Sequence, residues 1–370
     1  PRQRGPGPGG PDRAARGIRR GGSSRPTRGR VRQLRSFLAP PLRLGLTIAG
    51  VLVAGFLAWE TAFDRWPEIL YSARTGLVRQ PRGPLRDFRI AVVHCLLVGY
   101  LPAAFLAVVQ GGRKTVHQLQ GALDCTPEEC DALAVSLRLP MRGLVAAVLV
   151  GLLFALGTPY LAPPVPEDLW NPATWSAEVV WHRVLGPLVG VGSVALAYAI
   201  IVVSRRMSRL AADLKSIDLF DLSPLFPFTQ LGLANSLLLM GLVAIAGLMV
   251  LTETGFGLLG FLVGTAILGA AGLAAALPMR GVHRRITQAK AAELEWVEEK
   301  LQQQRDQLKK GAERTSGDLS DLAAYRDLVR GVRDWPITTS SYVRFALYLL
   351  IPLASWAAAA VVERLVDALL

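Results

Sequence analysis

Charge is scarce in this chain. Asp, Glu, Lys and Arg make up 19% of its 370 residues, against a hydrophobic share of 51% and a mean hydropathy of +0.35. Soluble domains carry about a quarter charged residues, so this composition argues against one. Cysteine is equally scarce, with only Cys95, Cys125 and Cys130, and no disulfide framework is implied. The histidines, His94, His117, His182 and His283, are scattered, which speaks against a His-based metal site. No Walker A loop, no GxGxxG following a strand, and no HExxH, GxSxG or CxxC motif is present. Nothing here calls for a cofactor, a metal or a catalytic residue.

What is there comes in apolar blocks. A helix rises about 1.5 Å per residue, so roughly 20 apolar residues match a hydrocarbon core of about 30 Å. Six blocks qualify: Leu44–Trp59, Ile90–Val109, Gly143–Leu161, Val184–Val203, Leu231–Leu251 and Gly257–Leu277. The fifth and sixth are separated only by Thr252–Phe256 and must form an antiparallel hairpin. A last block, Val343–Val362, is interrupted by Pro352 and reads either as a kinked span or as a re-entrant segment. The predicted fold is therefore all-α: a polytopic membrane helix bundle of six to seven embedded helices. Trp59, Trp66, Trp170, Trp175, Trp181 and Trp335 fall near block ends, where an interfacial aromatic belt accounts for them.

The formal net charge of +13 is unevenly placed: residues 1–43 hold twelve Arg and one Asp, leaving +2 for the rest. Such a tail binds no specific nucleic acid by a folded face, and residues 1–36 are too poor in large apolar groups to pack, so they read as a disordered basic tail. Basic residues mark the cytoplasmic side of spans. The tail, Arg205, Arg206 and Arg209, and Arg280, Arg284 and Arg285 agree on one side, while the acidic, Pro- and Trp-rich segment 162–182 suits the other. This places the N-terminus in the cytoplasm of a bacterial-type inner membrane. Thr61–Arg89 disagrees, with six Arg against three acids, and reads either as lying on the membrane surface or as a sign that the first block does not span fully.

The cytoplasmic connections read as helical. In Thr126-Pro127-Glu128-Glu129, Thr126 suits an N-cap, Pro127 the first helical position and Glu129 a capping box. After the sixth block, Leu294, Val297, Leu301, Gln304 and Leu308 follow a 3,4,3,4 spacing, an a/d seam of about two heptads. Leu322, Tyr325, Val329 and Val332 share a second apolar face, so residues 281–336 are predicted to form a cytoplasmic helical hairpin or short coiled coil. The domain reading is thus a tail over 1–36, a six-span domain over 37–280, this hairpin, and a C-terminal membrane helix over 337–370. Leu294, Val297, Leu301 and Leu308 on the 284–312 helix are the expected contacts for a cytoplasmic partner or a second copy.

The remaining candidates each have a plainer reading. Asp213, Asp218 and Asp221 form a juxtamembrane acidic cluster of the kind that holds Mg²⁺ beside a diphosphate in membrane transferases. An amphipathic loop beside Arg205, Arg206, Arg209 and Lys215 explains them as well. Cys125 and Cys130 read as two unrelated thiols, with a redox or metal role as the sharper alternative. His94 lies in the otherwise nearly charge-free spans and reads as a hydrogen-bonded interface residue. Gly186/Gly190, Gly260/Gly264 and Ala147/Gly151/Ala155 have small-xxx-small spacing, suited to close packing inside one bundle or to an oligomer contact. The lipid bilayer is one partner. The expected function is a non-enzymatic scaffold or sensor relaying between bundle and cytoplasmic helices. The alternatives are a channel or transporter, with Pro352 as a helix break, and a lipid-substrate enzyme resting on the Asp cluster.

Overall fold

A computed structural model describes residues 27–74, 84–157, 171, 175, 177–215, 217–248, 266, 269–309, 318–352 and 354. Among them no strand occurs. The helices are α1 (Thr27–Ala62), α2 (Trp66–Arg74), α3 (Pro84–Gln118), α4 (Gln120–Leu123), α5 (Pro127–Ser136), α6 (Met141–Gly157), α7 (Ala177–Leu210) and α8 (Phe226–Gly247). Helix α9 (269–276) passes through the 3₁₀ turn Leu277–Met279 into α10 (Arg280–Lys309), followed by α11 (Asp318–Gly331) and α12 (339–352). The chain divides into two units, Pro1–Ser36 and Phe37–Leu370. Of the first, residues 27–36 are described, and they are helical.

Five helical stretches are long and apolar enough to cross a membrane: Pro40–Ala62, Phe88–Gln118, Pro127–Gly157, Val179–Asp213 and Ser223–Gly247. They fit a membrane protein and correspond to the first five apolar blocks. The fifth-to-sixth connection Thr252–Phe256, most of the sixth block, the Gly260/Gly264 pair and the residues after Ala354 lie outside the described residues. Between α1 and α3, the short helix α2 buries Ile69 and exposes Leu70 and Tyr71.

Helices α3, α7 and α8 share the main core, with Leu97, Leu101, Leu196, Val203, Phe228 and Leu231 all buried. Helix α6 lies outside it and exposes Leu149, Leu153 and Phe154, a surface that lipid solvates at no cost. The helices meet through small residues. A Cβ on Gly99 of α3 would come 2.6 Å from the Gly45 carbonyl oxygen of α1, and one on Gly190 of α7 2.7 Å from the Gly151 oxygen of α6. Gly190, Ala155 and Gly151 thus contact one another inside a single chain. Polar ties are few: Tyr100 Oη donates to the Leu238 oxygen at 2.6 Å, and Asn235 Nδ2 to Ser204 Oγ at 3.2 Å.

Two sequence expectations need correction. Cys125 and Cys130 are not unrelated thiols: they form a disulfide, because the α4–α5 turn brings their Cα atoms to 5.9 Å. The spans are also less bare than the apolar blocks suggested. Helix α7 begins at Ala177, well before Val184, so His182 is helical, and Glu60, in the last turn of α1, is fully buried.

The packing separates two glycine substitutions. Gly190→Leu drives α6 from α7 and is expected to cost about 1–3 kcal/mol, as overpacking does. At Gly50 a Cβ meets nothing within 4 Å, and Gly50→Ala is expected to stabilise α1 by roughly 0.5–1 kcal/mol. Unfolding of both variants in lipid nanodiscs measures the difference.

Candidate functional site

The end of α3, helices α4 and α5, the α7–α8 connection and the start of α10 converge at one end of the bundle. This end is basic, with Arg113, Lys114, Arg205, Arg209, Arg280 and Arg284 at the helix ends. Arg206 caps α5 by donating to the Ser136 and Arg138 carbonyl oxygens. The cap at the other end of α5 is the one its sequence predicts: Glu129 N donates to Thr126 Oγ1 at 3.3 Å, and Thr126 N to Glu129 Oε2 at 2.8 Å.

Beside α4 lies an open cleft of about 600 Å³ lined by Gln118, Asp124, Lys215, Asp218, Asp221 and Leu225, among others. Asp124 closes α4 in a left-handed conformation (φ 50°), which a short polar side chain tolerates. Its carboxylate meets Lys215 Nζ at 2.6 Å across the cleft. That hydrogen bond, with the accompanying charge attraction, holds Asp124 below the usual carboxylate range and Lys215 above its usual value. Asp218 accepts from Phe220 N at 2.9 Å and Asp221 from Ser223 N at 3.0 Å, so both tie their own loop. The hydrogen bonds from Ser223 also hold Asp221 below the carboxylate range. Asp213 ends a 3₁₀ turn and is exposed, and it does not line the cleft. Among the described residues no three His, Cys, Asp or Glu side chains are arranged to hold a metal ion.

Helix α10 is rooted in the bundle. A Cβ on Gly281 would run into the Ser208 carbonyl oxygen of α7, and Val282 and Ile286 are fully buried in the α3–α7–α8 core. Arg285 Nη2 donates to the Leu214 oxygen at 2.7 Å. Further along, Val297 is fully buried, Leu294 packs on the core, Leu301 is half-buried and Leu308 is exposed. The seam positions nearest the bundle are therefore occupied within the chain. Helix α11 contributes Val329 to that core, and Tyr325 Oη donates to Glu293 Oε1 at 2.8 Å. Phe220, between Asp218 and Asp221, lies 6.0 Å from the Tyr325 ring. Beyond α11, the His283 ring stacks on Trp335 at 4.2 Å, and Thr229 Oγ1 donates to the Pro336 oxygen at 2.6 Å.

At the other end of the bundle, buried His94 makes a hydrogen bond through Nδ1 to the Ile90 oxygen at 2.8 Å. Because a carbonyl only accepts, Nδ1 carries the proton. Its ring centroid is 5.2 Å from that of His182. Phe56 packs on Phe88 and Trp181, one turn of α1 before Glu60. Sequence spacing missed the His94–His182 pair, since the residues lie on different helices. Glu60 was visible as an acid just past the first apolar block. Pro352 is buried at the end of α12, where residues 351, 352 and 354 are all helical.

The Asp124–Lys215 clasp has a definite pH window. A depressed carboxylate contributes above its unfolded value and is lost as pH falls through its folded value, so the clasp opens only below about pH 4. At the alkaline end it persists past the usual lysine value, because Lys215 is raised. Amine labelling of Lys215, followed by mass spectrometry at mildly alkaline pH, should be slow in the native chain and faster in Asp124→Asn. No protein-family model, curated protein or solved structure matches this chain.

Proposed function

We propose that this chain is a non-enzymatic membrane scaffold or sensor that relays between its helix bundle and the pair α10–α11. The observation that carries this is the rooting of α10: Gly281, Val282 and Ile286 sit against α7 and in the bundle core, so a shift of α7 moves α10 with it. Phe220 and Tyr325 add a contact from the α7–α8 connection to α11. Trp296, Leu308 and Leu328 are exposed on these two helices and offer apolar contacts to a cytoplasmic protein or a second copy. The basic end faces the cytoplasm on the charge rule, in a bacterial-type inner membrane with the N-terminus inside.

A channel or transporter is the second reading, favoured by the His94–His182 pair and buried Glu60. Ionisable groups inside spans cost at least about 2.5 kcal/mol at the bilayer centre and mark ion or proton paths.

A photoreactive residue in place of Leu308, activated in native membranes, separates the two. The scaffold reading expects a saturable adduct of defined mass, to one protein or to a second copy, that is lost in Leu301→Pro while the bundle still melts cooperatively. Absence of an adduct, together with ion flux into proteoliposomes that falls in His94→Ala, would overturn it in favour of transport.

A further inference from the structure

The geometry points to the Cys125–Cys130 disulfide as a reversible redox staple that sets the shape of the neighbouring cleft. Cys125 lies in the α4–α5 turn and Cys130 early in α5, and Asp124, which clasps Lys215 across the cleft, directly precedes Cys125. The turn is short: Asp124 N donates back to Gln120 O on one side, and Thr126 begins the α5 capping box on the other. The disulfide joins the two sides and ties Cys125, which packs on the bundle core, to Cys130, which is fully buried.

The place of the bond is the second argument. It lies at the basic end, which the charge rule assigns to the cytoplasm. Thiols there are kept reduced, and the disulfides that do form are transient and redox-sensing. A bond at this end is therefore one that the compartment opens and re-forms.

The exposures order the chemistry. Cys130 has no accessible surface, whereas Cys125 is half-buried, so Cys125 Sγ is the sulfur open to attack. A thiolate of a cytosolic dithiol attacks it, forming a mixed disulfide and releasing Cys130 as a thiolate that takes up a proton. The second thiol of the reductant then displaces Cys125. The chain gains two electrons and two protons, and the dithiol leaves as its own disulfide. With the bond open, Cys125 can leave the core, and the Asp124 wall of the cleft loses its tether while α5 keeps its capping box.

Thiol counting on the full chain in nanodiscs tests the bond. Cys95 is free and buried, so denaturation followed by a maleimide should add one label before dithiothreitol and three after it. Three labels before reduction would overturn the bond, and failure to return to one label after oxidised glutathione would overturn its reversibility. Hydrogen exchange reads the consequence. Residues 119–126 and 214–222 should exchange roughly tenfold faster on reduction, and Cys125→Ser with Cys130→Ser should give the fast rate with or without dithiol. Unchanged exchange after confirmed reduction sinks the control of the cleft. None of these readouts depends on a partner at α10, so this proposal and the relay reading fail separately.

Discussion

Close approach of helix backbones is the constraint on which this molecule depends. In lipid no hydrophobic force draws apolar helices together, because the tails are as apolar as leucine, and association rests on van der Waals contact. Contact of that quality needs positions without side-chain bulk. Gly45 and Gly99 supply it between α1 and α3, Gly151 and Gly190 between α6 and α7, and Gly281 at the Ser208 carbonyl between α10 and α7. The last differs in kind. It joins a span to a charged helix, and so connects the membrane core to whatever α10 and α11 contact.

The polar groups inside the bundle mark where close packing is not the whole account. Asn235 Nδ2 reaches Ser204, but Asn235 Oδ1 and the Ser236 hydroxyl are buried with no hydrogen-bond partner among the described residues. Each such group costs about 1–3 kcal/mol. The polar contents of the two ends differ. One end holds His94 beside His182. The other holds the cleft, where charges are solvent-exposed and organised by Asp124 and Lys215. A scaffold has little need of the first feature, and a transporter little need of the second.

Several elements were legible because the physics that forms them is local. The α5 cap follows from four consecutive residues, and the five helical stretches long and apolar enough to span follow from the length of each apolar run. The start of α7 was not legible: residues 177–183 precede the fourth apolar block and carry Glu178, His182 and Arg183, yet they are helical where Trp181 packs on Phe56 and His182 meets His94. The acidic cluster was legible as a composition but not as a site. Asp218 and Asp221 share the cleft, Asp213 stays outside it, and Asp124 joins from a different helix. The heptad seam looked like an open docking stripe, but its positions nearest the bundle are buried against the chain itself.

The sequence by itself determined that this is a helical membrane protein with a basic end, because hydrophobic length and charge placement act residue by residue along one chain. Only the tertiary structure decided which small residues touch. It alone brought His94 beside His182 and rooted α10 in the bundle. Those outcomes depend on the rotation and crossing of one helix against another, and no single helix encodes them.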